Sequence, residues 1–139
     1  MSKKGIRIAA MAEQFKAGGH DPHYAGYFEL FNVQKFYEAH DVLEHLWLKD
    51  KYGPNGPFYK GLIQLAGAFV HLQKNRLKPS AALFKLAQTN LEKYSHQHER
   101  MDLKGALDLI GKWLGDLESG NFEKNPLSPE QVPTLNLHL

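Results

Sequence analysis

The sequence predicts an all-α protein, a compact helical bundle with a central antiparallel pair of long helices. Three observations predict it. Apolar residues recur at helical spacing through most of the chain. No stretch carries a convincing strand signal. Gly- and Pro-containing breaks divide the helical patterns, and the two longest are joined by a loop short enough to make them antiparallel neighbours.

The elements follow in order. Residues 1–24 read as a weakly helical N-terminal segment that ends in "GGHDPHY", Gly18 to Tyr24. "GYFELF", Gly26 to Phe31, reads as a short apolar helix, and Asn32 then stands where an N-cap would start a helix running through Trp47. "KYGPNGP", Lys51 to Pro57, is a turn, and a second long helix runs from Phe58 to about Lys74. "NRLKPS" breaks it. A third helix spans Ser80 to about Ser95, with Ala82, Leu83, Leu86, Ala87, Leu91 and Tyr94 at helical spacing. "SHQHERMD" is a loop, and Asp102 caps a further helix through Leu117. After Gly120 the chain carries Pro126, Pro129 and Pro133 and little periodicity, as expected of an extended tail packed on the surface or against a partner. The expected division is therefore 1–24, a bundle over 25–119, and a tail over 120–139.

Composition narrows the function classes. The chain has 139 residues, 42% of them hydrophobic and 23% charged, enough for one domain with a real core. It has no cysteine, which excludes disulfides, thiolate catalysis and Cys-based metal sites and fits a reducing compartment. "GIRIAAMAEQF" lacks the apolar core and cleavage site of a signal peptide. No apolar run reaches membrane-spanning length, so a cytoplasmic location without a membrane partner is expected. The net charge is +2 and the basic residues are scattered, densest in "KNRLK", Lys74 to Lys78. A nucleic-acid groove with interleaved aromatics looks different. A homo-oligomer stays open: Gly105, Gly111 and Gly115 on the last helix would permit close packing within the chain or between copies.

The chemistry-bearing residues concentrate in the long-helix pair. At about 100° per residue, Phe36, Ala39, Val42, Leu43, Leu46 and Trp47 fill one arc, with His40 and Glu44 at its edge beside Trp47. Glu38, Asp41 and His45 fall on the other, polar side. The second long helix is apolar almost all round except for a stripe of Lys60, Gln64, Gly67 and His71, where Gly67 leaves room for a side chain or ion. Buried Gln and His need partners, and the His40/Glu44 edge is the nearest source. An inter-helix cluster of His40, Glu44, Gln64 and His71 is expected, with Glu38 and Asp41 at its rim.

"LFNVQKFYEAHDVLEHLW" followed by "FYKGLIQLAGAFVHL" resembles the family known as domain of unknown function 309, over roughly Leu30 to Tyr94. The resemblance rests on Phe31, Asn32, Glu38, Ala39, His40, Glu44, Gly61, Leu62, Ile63, Gln64 and His71. Asp41 stands where that pattern usually has Glu, and Gln34 where it often has Gly. The resemblance implies an all-helical fold and brings no established activity.

Three readings of the cluster remain open. As a buried polar network, its members bond each other and fix helix register. As a metal site, His40, Glu44 and His71 offer two imidazoles and a carboxylate to a divalent transition metal, with Gln64 behind them. As an acid–base pocket, the His40–Glu44 pair works with Glu44 as the catalytic group while Lys60 holds an anion. The expectation is a small protein whose pocket, drawn from Glu38, His40, Asp41, Glu44, Lys60, Gln64 and His71, binds a metal ion or small ligand. Metal-assisted hydrolysis is its chemistry if it is an enzyme. The alternative is a non-catalytic interaction protein in which the same residues only set helix packing.

Overall fold

The computed structural model describes Gly5, Ile8 and residues 21–138; the expected N-terminal segment thus lies mostly outside the described residues. Five helices are packed together: α1 (Pro22–Asn32), α2 (Phe36–Asp50), α3 (Gly56–Gln73), α4 (Leu77–Leu91) and α5 (Leu103–Ser119). Between α4 and α5 lies a hairpin of two short strands, β1 (Gln97–His98) and β2 (Met101–Asp102). The all-α bundle is as the periodicity predicts. Among the described residues no helix is long and apolar enough to cross a membrane.

The core is organised around one ring. Phe69 of α3 meets Phe31 of α1 edge-on at 5.5 Å and stacks on Phe36 of α2 at 5.1 Å. It meets Phe84 of α4 at 5.1 Å and Trp113 of α5 at 4.9 Å, both edge-on. A single buried side chain therefore touches each of the other four described helices, in the edge-to-face and offset geometries aromatic pairs prefer. Tyr27 is fully buried and donates its hydroxyl proton to the Leu62 carbonyl at 2.6 Å, tying α1 to α3. The pair α2 and α3 is antiparallel: Phe36 at the start of α2 stacks near the end of α3, while Lys60 near the start of α3 lies over Trp47 near the end of α2. Gly61 allows α4 to approach α3, since a Cβ there would meet the Leu91 side chain at 2.8 Å.

Several boundaries differ from expectation, each for a local reason. The helix read from Gly26 begins at Pro22, because the Asp21 carboxylate accepts from the His23 N–H at 2.8 Å and Pro22 is pre-set for the first turn. Asn32 ends this helix and does not cap the next. The residue before α2 is Lys35, which makes no side-chain cap. Gln34 turns the chain between the two helices with φ of 64°, a left-handed conformation that favours glycine. This is the position where the resembling family often has Gly.

The helix expected from Ser80 to Ser95 runs from Leu77 to Leu91, since Pro79 sits in its first turn, where a missing N–H costs nothing. The loop "SHQHERMD" contains the hairpin, closed by Glu99 and Arg100 with φ of 47° and 58°, a pairing typical of two-residue hairpin turns. His98 is accordingly not a solvated loop residue: its ring lies 4.7 Å from Phe58 and 4.6 Å from Tyr94. Asp102 caps α5 as expected, accepting from the Gly105 N–H at 3.0 Å. Gly111 and Gly115 face open space, so within the chain they permit no close approach.

Candidate ligand cleft between α2 and α3

The polar stripe of α3 is longer than the sequence reading made it. Lys60, Gln64, Gly67, His71 and Lys74 recur at spacings of four and three, which keeps them on one face of the helix. Tyr37 and His40 of α2 face this stripe, Ile63 and Val70 flank it, and Leu83 of α4 closes one side. Together they line a cleft of about 340 Å³. Leu83 also occupies the space that Gly67 leaves, since a Cβ there would lie 3.1 Å from its Cδ1.

Each polar group in the cleft has a distinct environment. His40 is fixed from behind, with Nδ1 3.2 Å from the Asp41 carboxylate and Nε2 3.7 Å from that of Glu44. The Tyr37 ring stacks on it, 6.1 Å between centroids. The Gln64 Oε1 accepts from the Asn90 Nδ2 of α4 at 2.8 Å. Lys60 holds its ammonium 4.4 Å from the centroid of the Trp47 ring, a cation–π contact that keeps the charge beside the cleft. His71 is only partly buried, but its Nδ1 is fully covered and has no hydrogen-bond partner among the described residues. Burial, then the nearby Arg76 and Lys74 cations, lower the His71 pKa below its ordinary value of 6.5. Among the described residues no carboxylate lines the cleft, and its lysines are Lys60 and Lys74.

The expected site is thus brought together in part. His40, Lys60, Gln64 and His71 line the cleft. Glu44 stands beside His40 without lining it. Asp41 is a correction: assigned to a polar face, it is 1% exposed. That face of α2 is covered by α1, as the stacking of His45 on His23 at 5.1 Å shows. Glu38 is partly exposed and is not a lining residue. Within the expected network, His40 lies 3.7 Å from Glu44, Gln64 bonds Asn90, and His71 Nδ1 has no hydrogen-bond partner among the described residues. Among the described residues no three His, Cys, Asp or Glu side chains are grouped so as to hold a metal ion, so His40, Glu44 and His71 do not form a ligand set in this arrangement.

Lys74, Tyr37, Leu83 and Asn90 were missed by sequence reasoning. Lys74 had a signal, since it extends the stripe by one further step of three; the sequence reading placed it only in the basic group Lys74 to Lys78. Asn90 and Leu83 had none, because they join the site only through the packing of α4 on α3.

The fold and the cleft define a class: a small helical bundle whose central helix lines a cleft that includes Lys60 and Lys74. Residues 24–83, which include every residue lining the cleft, match the model of the family described as Domain of unknown function (DUF309), and this bears out the resemblance read from the motifs. No curated protein and no solved structure matches the chain.

Proposed function

We propose that the protein binds a small anionic molecule, a carboxylate or a phosphate, in the cleft between α2 and α3. The observation that carries this reading is the lining itself: Lys60, Lys74, His40 and His71 converge on about 340 Å³, with no carboxylate among the described lining residues. Lys60 is half-buried and Lys74 exposed, and an anion held in the cleft is attracted by both ammoniums. Lysine ammoniums supply charge as point donors. The amide nitrogen of Gln64, whose oxygen is already engaged by Asn90, supplies a directional N–H. His40, held by Asp41, is placed to exchange a proton with a bound ligand, which is the part of the acid–base reading that the geometry supports. Apart from the Tyr37 phenol, the lining has no hydroxyl or thiol nucleophile. Binding is therefore the assignment, in a reducing, cytoplasmic setting consistent with a cysteine-free chain.

A second reading, that these residues only fix helix packing, is favoured by one observation, the Gln64–Asn90 bond that links α3 to α4. Thermal-shift measurements across a series of carboxylates and phosphates separate the two. The ligand reading expects at least one anion to raise the melting temperature of the wild type and not that of Lys60→Ala. A series without effect on the wild type, together with a large loss of stability in Lys60→Ala, would leave the packing role.

A further inference from the structure

Residues 133–138 lie outside the cleft, yet the body of the protein holds them through their main chain. The Asn32 side chain donates to the Leu135 carbonyl at 2.9 Å and accepts from the Leu135 N–H at 2.8 Å. These are the two bonds that a residue on a neighbouring antiparallel strand would exchange with it. Two residues on, Met101 of β2 pairs antiparallel with Leu137. There the Asp102 N–H donates to the Asn136 carbonyl at 3.1 Å, and the His138 N–H donates to the Arg100 carbonyl at 2.7 Å. All four bonds read backbone and are blind to side chains.

The side chains alternate as they do on an added strand. Pro133 and Leu135 are buried and Leu137 packs partly buried against the core, while Thr134, Asn136 and His138 are exposed. A crevice of about 70 Å³ lined by Asp102, Gly105, Ala106 and residues 134–136 lies between the segment and the start of α5. The stretch that leads from α5 to the segment has no helix or strand; a bridge between Ser128 and Gln131, the Asn125 bond to the Leu72 carbonyl at 2.6 Å, and Phe122 and Leu127 against the core hold it.

We propose that Asn32 and the outer edge of β2 form a binding site for an extended peptide strand with apolar side chains at alternate positions. The chain's own residues 133–138 fill it in cis, and the same segment of a second copy of this chain fills it in trans. Recognition follows the logic of strand addition: main-chain bonds give affinity and the slots for residues 133, 135 and 137 give selectivity. The sequence "PTLNL" is the occupant the site fits, and every copy of the chain carries it.

The test uses the full chain with Leu135→Asp, which places a carboxylate in the apolar slot and disfavours the cis segment. A fluorescent peptide of residues 129–139 is the probe, read by anisotropy. The wild type should bind it at least tenfold more weakly than the variant, because its own segment competes at the high effective concentration of a tethered ligand. Adding Asn32→Ala to Leu135→Asp should weaken binding at least tenfold. Circular dichroism checks folding, and Leu135→Ala replaces Leu135→Asp if the latter unfolds. A folded Leu135 variant that binds no peptide overturns the proposal, and so does binding that Asn32→Ala leaves unchanged.

Discussion

Two polar regions flank the central helix, and they are built on opposite terms. Where the hairpin meets the start of α3, polar groups pair with one another. His98 Nε2 lies 2.7 Å from Asn55 Oδ1, and Asn55 Nδ2 donates to the Glu99 carboxylate at 3.2 Å. Tyr24 donates to the Glu99 carbonyl at 2.8 Å. Tyr94 accepts from the Phe58 N–H at 3.0 Å and donates to the Pro54 carbonyl at 2.8 Å. Along the α2–α3 cleft, among the described residues, the lysines face no lining carboxylate and the His71 Nδ1 has no hydrogen-bond partner. Polar groups that satisfy each other fix a structure. On the proposed reading, the cations along the cleft are held for an anion that is not part of the chain.

The largest expected effect falls on the cleft. Lys60→Ala with Lys74→Ala should lower the affinity for the anion that binds best by about 3 kcal/mol or more, at about 1.5–3 kcal/mol for each hydrogen bond to a charged group. Calorimetric titration measures it. Unfolding in urea should change by no more than about 0.5 kcal/mol, as for ordinary surface substitutions. The hairpin end should behave in the reverse way. Asn55→Ala leaves His98 without its partner and should cost about 1–3 kcal/mol of stability with no change in anion affinity. Equal effects of both variants on both measurements would erase the distinction.

The pH dependence sharpens it. Burial raises the pKa of Tyr27, and that of Tyr24, above the ordinary value of 10.0. The unfolded chain then ionises first, so stability is complete below pH 10 and is lost as pH rises above it. Tyrosinate absorbance from these two residues should appear only with unfolding. His71 works in the opposite range. Its folded pKa is depressed, so its contribution is complete above pH 6.5 and is lost as pH falls through the lowered folded value. His71→Gln should flatten that acid limb, seen in urea unfolding at a series of pH values. The smallest effect is expected in the turn before α2. Gln34→Gly should stabilise the protein by about 0.5–1 kcal/mol, because glycine adopts the left-handed conformation there without strain.

Much of this was legible in the sequence, and the rest had physical reasons to be hidden. The apolar periodicity of Phe58 to Leu72 marks α3 as the buried centre, and the interruptions at Lys60, Gln64 and His71 mark the cleft. Helical spacing alone reports both. Asp41 was misplaced because a helical wheel cannot show that α1 covers a second face of α2. Asn32 was read as a cap because its local sequence allows it, but its partner, Leu135, lies far along the chain. The hairpin escaped notice because two-residue strands are too short to alternate, and its turn uses Glu99 and Arg100 in place of the usual Asn-Gly.

The central claim is that the cleft takes an anion, and histidine NMR tests it most directly. His71 is followed through a pH titration without ligand and with saturating inorganic phosphate or succinate. A bound anion favours the imidazolium, so the account predicts that the His71 pKa rises from its depressed value in the presence of at least one of them, and that Lys60→Ala and Lys74→Ala together abolish the rise. A His71 titration curve that both anions leave in place, in a folded protein, would contradict it.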